Sequence, residues 1–600
     1  MTVRLSNAAT ITVDPTQNQA LISSYVYGAN QTDGSTVQFT SRRLGGNRMT
    51  GYNWENNFSN AGSDWNQSND TYLCNEPARC TAPAATLIQF VDASKAAGAY
   101  PLVTLQMAGY VSADSDGTVT AAQVAPSSRW KQVVNVKGSP FSLTPDTGDD
   151  SVYMDELINF LVKKYGNAST GGVHGYDLDN EPDIWATTHP LLHPKPVGAK
   201  ELVDRSVALS SAVKSVDPSA EVFGFVSYGY SGYVKLQDAP DWASVKGNYK
   251  WYVEYYLASM KAASDAAGKR LLDVVDLHYY SEAMGNGVRV QSGTADNAAA
   301  RVQSTRSLWD ATYGYSDTDP TAGENSWITQ WNDLIELIPR VQRYIAADYP
   351  GTKLAISEYD FGAAAHISGG IAQADALGLF GKCGVYFATR WGEPGVFTDA
   401  AYRLYLDYDG QGSRFGDVTV QAATSDVVNV ATYAALDHLQ PNLLHVILIN
   451  RNLTSSQSAA VKIAGSSVYQ TGHAYGFDAT GSTLTDRGTV ILSNNEVSLD
   501  LPATSAIHVV LTTDSPPAIN VESPSGGGSP EGGATSSAGG AATTSDGGTP
   551  NGLGGASSDS GATDNKSDGC GCRASNRSPS SGLALSVLAA LLAFGLRRRR

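Results

Sequence analysis

Residues 175–185 read GYDLDNEPDIW. The first half alternates as a strand does, and Pro182 ends it, because proline cannot extend a strand's hydrogen-bond ladder. Four carboxylates, Asp177, Asp179, Glu181 and Asp183, fall within these eleven residues. By alternation Asp177 and Asp179 lie on the strand face opposite Tyr176 and Leu178. They read as buried acids bonded to an arginine and to backbone donors, and Asp183 reads as a helix or turn cap. Glu181 is then the acid that the strand end delivers into open space.

Working outward, seven further apolar runs end in turn signals: LISSYVYG, QFTSRRLGG, YPLVTLQM, EVFGFVSY, DVVDLHYY, KLAISEYD and GVYFATRW. Amphipathic helical patterns separate most of them, among them VYMDELINFLVKKYG, GAKELVDRSVALSSAVKSV, WYVEYYLASMKAASDAAG and QWNDLIELIPRVQRYIAADY. Strand and helix alternating eight times predicts an α/β fold, a (β/α)8 TIM-like barrel over residues 21–400 with long loops. A doubly wound open sheet is the alternative, but RLGGNRMTG has neither GxGxxG nor Walker spacing, so nucleotide binding is not indicated. From residue 401 to 513 short β patterns replace the helices, which predicts a β-sandwich. Residues 1–20 alternate in the same way and read as a strand joining that sandwich.

In such a barrel the C-terminal strand ends carry the active site. Glu181 ends the fourth run, and Glu358, in KLAISEYDFG, ends the seventh. Strands four and seven stand across the barrel mouth from each other. Two carboxylates facing across a cleft are the minimal equipment for glycoside hydrolysis: one protonates the leaving oxygen, the other attacks the anomeric carbon or activates water. A lone glutamate at a strand end is ordinarily a cap or a solvated loop acid; two at these positions point to chemistry.

GYDLDNEPDIW and AISEYDFG, with RLGGNRMTGYNWENNFSNAGSDW, YAALD and LYLDYDGQGSRFGD, resemble glycoside hydrolase family 44, and the likeness runs from about residue 21 to 511. The resemblance implies a TIM-like barrel with a β-sandwich and internal cleavage of β-1,4-glucans with retention, such as cellulose-like chains or xyloglucan. It implies that Glu181 is the general acid/base, that Glu358 is the nucleophile and that Asn180 bonds the sugar 2-hydroxyl. The chain departs from the family pattern in RLGG, where an aromatic follows the arginine, and at Asp360, where asparagine is usual. A retaining hydrolase of another β-glycan (xylan, mannan) or an exo-acting arabinosidase, and a non-catalytic polysaccharide-binding surface protein, are the alternatives. The matched pair of glutamates argues against the last.

Such a pair needs Glu181 protonated and Glu358 ionised. Arg43 is the candidate donor beneath Glu358, and Tyr279 or Tyr280 can orient it. His278 is a polar neighbour in the cleft, with no second histidine at metal-ligand spacing. Trp391, ending the eighth run, is the candidate floor for the sugar under attack; Trp54, Trp65, Trp185, Trp327 and Trp331 are weaker candidates. No catalytic cofactor or metal is implied. DYDGQGSRFGD places acids at alternate positions, as a structural calcium would need, but lacks the glutamate that closes an EF-hand.

The composition agrees with a neutral partner. Only 16% of the 600 residues are charged and the net charge is −17, which argues against nucleic acid and anionic membranes. A monomer acting on a β-linked polysaccharide is expected. Cys74 and Cys80 bracket CNEPARC and close a small disulfide in an oxidising compartment, the alternative being two thiols in a surface loop. Cys383 reads as buried and inert. Residues 514–569 are rich in Gly, Ser, Thr and Pro and read as a disordered linker. Residues 570–600 hold GCGC, an apolar run and RRRR. The run is roughly 15 residues, short of the ~20 that span a bilayer, and suits a transient membrane anchor or processing signal. This order resembles the C-terminal sorting tails of myxobacterial surface proteins, which implies secretion or surface display. The N-terminus shows no signal peptide core, so an upstream or removed leader is expected.

Overall fold

The computed structural model describes residues 8–74, 78–332 and 334–521. Eight parallel strands close a barrel: Gly28–Ala29, Ser41–Leu44, Tyr100–Leu105, Gly175–Leu178, Glu221–Ser227, Val274–Tyr280, Lys353–Asp360 and Phe387–Arg390. They are called strands one to eight below. Each expected run contains one of them. The first is displaced: of LISSYVYG only Gly28 is in the barrel, Ser24–Val26 is a 3-10 turn, and Leu21 ends a strand of another sheet. Two residues suffice there because strand one pairs on both sides, Gly28 and Ala29 opposite Ser41 and Arg42 and opposite Thr389 and Arg390.

The lower barrel is plugged by Tyr100, Leu102, Phe223, Val274, Ala355 and Phe387, with Phe223 and Tyr100 each edge-on to Phe387 at 5.3 Å. This plug seals the strands' N-terminal end from water, so polar groups above it sit in a low-dielectric interior. Helices Met154–Tyr165, Ala199–Val216 and Tyr252–Ala267 lie where amphipathic spacing puts them. The pattern QWNDLIELIPRVQRYIAADY is not one helix but two, Trp327–Asn332 and Leu337–Asp348. Pro339 explains the break: proline is tolerated in a helix's first turn, where N–H groups lack partners anyway, and disrupts an interior.

The sandwich has two sheets. The smaller orders Gln421–Thr424, Ala9–Asp14, Gln457–Ile463 and Glu496–Leu501. The N-terminal strand is central in it, parallel to Gln457–Ile463 and antiparallel to Gln421–Thr424, so the chain start does join this layer. The larger sheet has seven strands, with Leu443–Asn450 and Ser505–Thr513 in its middle. Helix Ile367–Lys382 carries apolar residues all round and is buried along nearly its whole length, as a helix between two layers must be. Its Asp375 accepts from Tyr433 (2.7 Å) and Arg451 (2.6 Å) of the sandwich. At Gly378 the Tyr433 ring comes so close that a Cβ would lie 2.3 Å from it, which leaves room only for glycine. The barrel-facing side of the larger sheet, with Tyr433, Ile447, Ile449 and Ala506, thus joins the barrel's core, while the space between the two sheets holds a core of its own.

Cys74 and Cys80 are joined as a disulfide, and Cys383 is buried. Residues 514–521, expected to open the disordered linker, instead pack on the sandwich: Ile519 and Val521 lie against its core, Gln19 Nε2 donates to Ala518 O at 2.8 Å, and Asn520 N donates to Gln19 Oε1 at 2.7 Å. The rest of the linker, the Cys motif, the apolar run and the arginine cluster lie outside the described residues. Among the described residues no helix is long and apolar enough to cross a membrane.

Candidate active site

Strand four ends at Leu178, and the next three residues turn sharply into the cleft. Asp179 (φ 70°) and Glu181 (φ 46°) are both left-handed, uncommon for residues with a side chain. The turn is held from outside itself. Glu181 N donates to Val226 O at 3.0 Å. The Asp179 carboxylate accepts from Met107 N, Ala108 N (2.9 Å), Asn180 N (2.8 Å) and Thr50 Oγ1 (2.6 Å). Trp185, wholly buried, donates its indole N–H to Asn180 O at 3.1 Å. Asp183 does not cap its own turn: it accepts from Ser227 Oγ and Tyr228 N, both at 3.0 Å, and ties the turn to the end of strand five. It sits inside the 3-10 turn Pro182–Ile184 rather than ahead of it, so its carboxylate is free to reach the neighbouring strand.

Glu358 lies across the mouth on strand seven, in register with His278 on strand six. Glu181 and Glu358 bring carboxylate oxygens within 4.8 Å of each other, with His278 Nδ1 within the same distance of both. His278 Nδ1 is 2.9 Å from Glu181 Oε1 and 3.5 Å from Glu358 Oε2. Their surroundings are opposite. Glu358 accepts from Arg43 Nη1 (2.7 Å) and from Tyr280 OH (2.6 Å). Among the described residues, Glu181 has no cation in contact, and its carboxyl group has His278 as its hydrogen-bond partner.

The electrostatics follow. Burial, then the charges of Glu358 and Asp183, push Glu181 well above the usual carboxylate range. Burial also raises Glu358, but Arg43 and the Tyr280 hydroxyl pull it back toward ionisation. Arg43 is buried, which works against its charge, yet Asp177 and Glu358 outweigh burial and hold it cationic. Burial first, and Arg43 second, keep His278 neutral by driving its pKa well below the usual imidazole value.

Arg43 on strand two is the hub. Its Nε bonds Asp177 at 2.5 Å, Nη1 bonds Glu358, and Nη2 bonds Asn180 Oδ1 at 3.0 Å. Asn180 Oδ1 also accepts from Gly46 N at 3.1 Å. Gly46 (φ 87°) passes so near the Trp391 ring that a Cβ would sit 2.4 Å from it; a side chain there would displace the indole. The RLGG stretch therefore lets a half-buried Trp391 lie against Gly46, whose N–H bonds Asn180.

Of the nominated residues, the structure brings Glu181, Glu358, Asn180, Arg43, His278, Tyr280 and Trp391 together. Tyr279 is not with them: it alternates to the other strand face, packs near Phe361 (6.2 Å between centroids) and leaves its hydroxyl unbonded. Trp54 and Trp185 are core residues at 0% exposure, whereas Trp65, Trp327 and Trp331 are exposed at 64%, 43% and 82%. Asp276 was missed; it shares the inward face of strand six with His278 and Tyr280, and that two-residue spacing was its signal.

Among the described residues, Glu181, His278 and Glu358 are the one group of three metal-ligating side chains that converge. The donor set does not suit a resident metal: a buried guanidinium and a tyrosine hydroxyl already occupy the Glu358 oxygens. In the DYDGQGSRFGD loop the acids accept hydrogen bonds from nearby backbone and side-chain donors instead. Asp407 accepts from Gly412 N (2.6 Å), Asp409 from Gln411 N (2.9 Å) and Ser413 Oγ (2.6 Å), and Asp417 from His438 N (3.0 Å).

Comparison with known proteins agrees with this geometry. Residues 58–283 match the family model described as glycoside hydrolase family 44. The chain is 50% identical over 519 residues to beta-mannanase/endoglucanase A of Caldicellulosiruptor saccharolyticus, covering 84% of this chain but only 39% of that protein. It is 48% identical over 523 residues to endoglucanase A of Paenibacillus lautus, covering 85% of this chain and 73% of the relative. A solved Paenibacillus polymyxa xyloglucanase of family 44 superposes with a TM-score of 0.81 at 48% identity, over 85% of this chain and 100% of that one. Identity near one half, sustained through barrel and sandwich alike, places this chain in glycoside hydrolase family 44.

Proposed function

We propose that this chain is a retaining endo-β-1,4-glucanase acting on cellulose-like chains and xyloglucan, with Glu181 as general acid/base and Glu358 as nucleophile. The observation that carries this reading is the pair itself: two buried carboxylates within 4.8 Å, Glu358 bonded to Arg43 and Tyr280, which favour its ionised form, and Glu181 without a cation in contact and pushed well up by burial and by the Glu358 charge. Close approach is the geometry of a double displacement; an inverting enzyme needs about 6.5–9.5 Å to admit a water. Glu358 attacks the anomeric carbon while Glu181 gives its proton to the departing glycosidic oxygen. As the glycosyl ester forms, negative charge leaves Glu358, and Glu181, now anionic, loses the repulsion that had raised its pKa. It then takes a proton from water, which attacks the ester and frees Glu358. Asn180, fixed by Arg43 and Gly46, presents its amide N–H to the sugar's 2-hydroxyl. Trp391 floors the reacting ring. No step needs a cofactor.

Aromatic side chains beside Glu358 support a sugar-binding cleft: Tyr228, Tyr230, Tyr280 and Trp327, with Glu282, line a cavity of about 240 Å³, and Trp65 is exposed in the loop between strands two and three. Aromatic faces stack on the CH faces of neutral sugars, and the sparse charge of the chain suits such a substrate. The Cys74–Cys80 bond supports an oxidising, extracellular destination, to which we assign the tail as a surface-sorting and transient membrane signal. The substrate preference among the relatives' named glucan, xyloglucan and mannan activities is read directly. Reducing-sugar release is measured on carboxymethylcellulose, xyloglucan and mannan for the wild type, Glu181→Gln and Glu358→Gln. Loss of at least about a hundredfold in each variant is expected. A folded wild type inert on all three would move the reading to a polysaccharide-binding protein.

A further inference from the structure

The site's floor contains one acid more than the proposed chemistry uses. Asp177 of strand four and Asp276 of strand six are both wholly buried above the apolar plug. Arg43, Asp177 and Asp276 come from strands two, four and six, the alternate-strand pattern that fills one layer of a barrel. Asp177 gives one oxygen, Oδ2, to Arg43 Nε. Asp276 gives one oxygen, Oδ1, to Ser357 N at 3.1 Å. The other oxygen of each, Asp177 Oδ1 and Asp276 Oδ2, is buried without a donor. The two carboxyl groups lie within hydrogen-bonding reach of each other, and two ionised carboxylates cannot both keep bare oxygens there in a dry interior. One proton between them satisfies both.

We propose that Asp276 is a permanently protonated acid that donates to Asp177 Oδ1, and that this neutral donor is a positioning residue for the nucleophile's counter-ion. This rests on the proposed function for its purpose, not for its proton. Asp177, in contact with the guanidinium, keeps the negative charge. The charge count supports it: Arg43 already neutralises one of Asp177 and Glu358, and a third anion would draw the guanidinium away from Glu358. The charged and titratable groups facing Asp276 are Arg43, Asp177 and Glu358, with His278 on its own strand and Tyr233, whose hydroxyl bonds His278 O. Burial and the Asp177 charge both push the Asp276 carboxyl well upward, and only Arg43 and the Ser357 contact oppose them. Through Ser357 N the neutral acid also fixes the backbone one residue before Glu358. Asp276 thereby holds Asp177 and strand seven while leaving Arg43 Nη1 and Nη2 for Glu358 and Asn180.

The test is a thermal-unfolding series of the full chain from pH 4 to 7, for the wild type, Asp276→Asn and Asp276→Ala. An acid protonated in the native state but ionised when unfolded binds an extra native proton, so it costs stability as pH rises above the ordinary carboxylate pKa. Per pH unit the cost is a tenfold change in the folding equilibrium. The Tm of each variant minus that of the wild type is expected to climb with pH. The slope reports the wild-type proton however much packing a variant loses, so Asp276→Ala climbs from a lower start. A flat or falling difference in both variants overturns the proposal. In activity, the amide replaces the neutral acid's donor and acceptor. Asp276→Asn is therefore expected to keep kcat/KM within about threefold of the wild type and its acidic limb in place, and Asp276→Ala to lose at least about tenfold. If Asn fails where Ala fails, Asp276 is not a neutral donor. A chain with no hydrolase activity but a climbing Tm difference sinks the proposed function and leaves the shared proton standing.

Discussion

Removing the Tyr280 hydroxyl isolates one contribution to the ionisation of Glu358. The hydroxyl donates to Glu358 Oε2 at 2.6 Å, while Arg43 Nη1 serves the other oxygen at 2.7 Å. Tyr280→Phe keeps the ring and deletes only that donor. A hydrogen bond to a charged group contributes about 1.5–3 kcal/mol, and a pKa unit corresponds to about 1.4 kcal/mol. The bond favours the ionised form of Glu358, so its loss raises the nucleophile's pKa by about one to two units. The acidic limb of kcat/KM against pH reports the essential base of the free enzyme. That limb is expected to move to higher pH by the same amount, with kcat at the optimum falling about ten- to a hundredfold. The assay is initial-rate hydrolysis of a soluble xyloglucan or cello-oligosaccharide across the pH range, with circular dichroism to confirm folding. A limb that stays in place, or moves to lower pH, refutes the idea that Tyr280 holds Glu358 ionised.

Arg43→Lys keeps the charge but cannot reach Asp177, Glu358 and Asn180 at once. Breaking a buried pair costs about 3–5 kcal/mol, so a large fall in Tm together with at least a hundredfold loss of kcat/KM is expected, read by calorimetry and steady-state kinetics. Cys74→Ser with Cys80→Ser opens a loop of sequence separation 6, which is expected to cost about 2 kcal/mol by chain entropy and to leave kcat unchanged. In the sandwich, His508 Nδ1 donates to Leu404 O (2.9 Å) and His445 Nδ1 donates to His508 Nε2 (3.0 Å), a buried pair that cannot hold both rings charged. Burial lowers His445 to about 4. The unfolded imidazole takes a proton below its ordinary pKa and the folded one does not, so stability present above pH 6.5 is lost as pH falls toward 4, by about 3 kcal/mol. His445→Asn is expected to flatten that acid limb in a Tm–pH series.

The barrel was legible because its strands are buried on both faces and end in breakers. Pro182 after GYDLDNE and the glycine turn after SEYDF marked the positions from which the two glutamates project. The strand-one offset was not legible: SSYV is as apolar as a strand, and only the pairing of Gly28–Ala29 with both neighbours shows where the barrel begins. Tyr279 and Tyr280 could not be separated without knowing which face of strand six looks inward. His278 contains that information, since an inward residue 278 places 276 and 280 inward too. Asp183 carried the residue type of a cap, but the neighbouring strand supplied Ser227 and Tyr228 as partners. The tryptophans divide by burial, which their identity alone does not encode: Trp54 and Trp185 fill the core, and Trp65, Trp327 and Trp331 face solvent.

The most direct test of Glu358 as the group that bonds the sugar, and Glu181 as the group that handles the proton, is trapping with a 2-deoxy-2-fluoro-glycosyl fluoride of a β-1,4-glucan disaccharide. The fluorine slows hydrolysis of the glycosyl ester, and the labelled peptide is located by mass spectrometry. One added glycosyl unit is expected, on the peptide containing Glu358, and none in Glu358→Gln. Label on Glu181 or Asp360, or an active enzyme that never carries a label, would contradict this assignment.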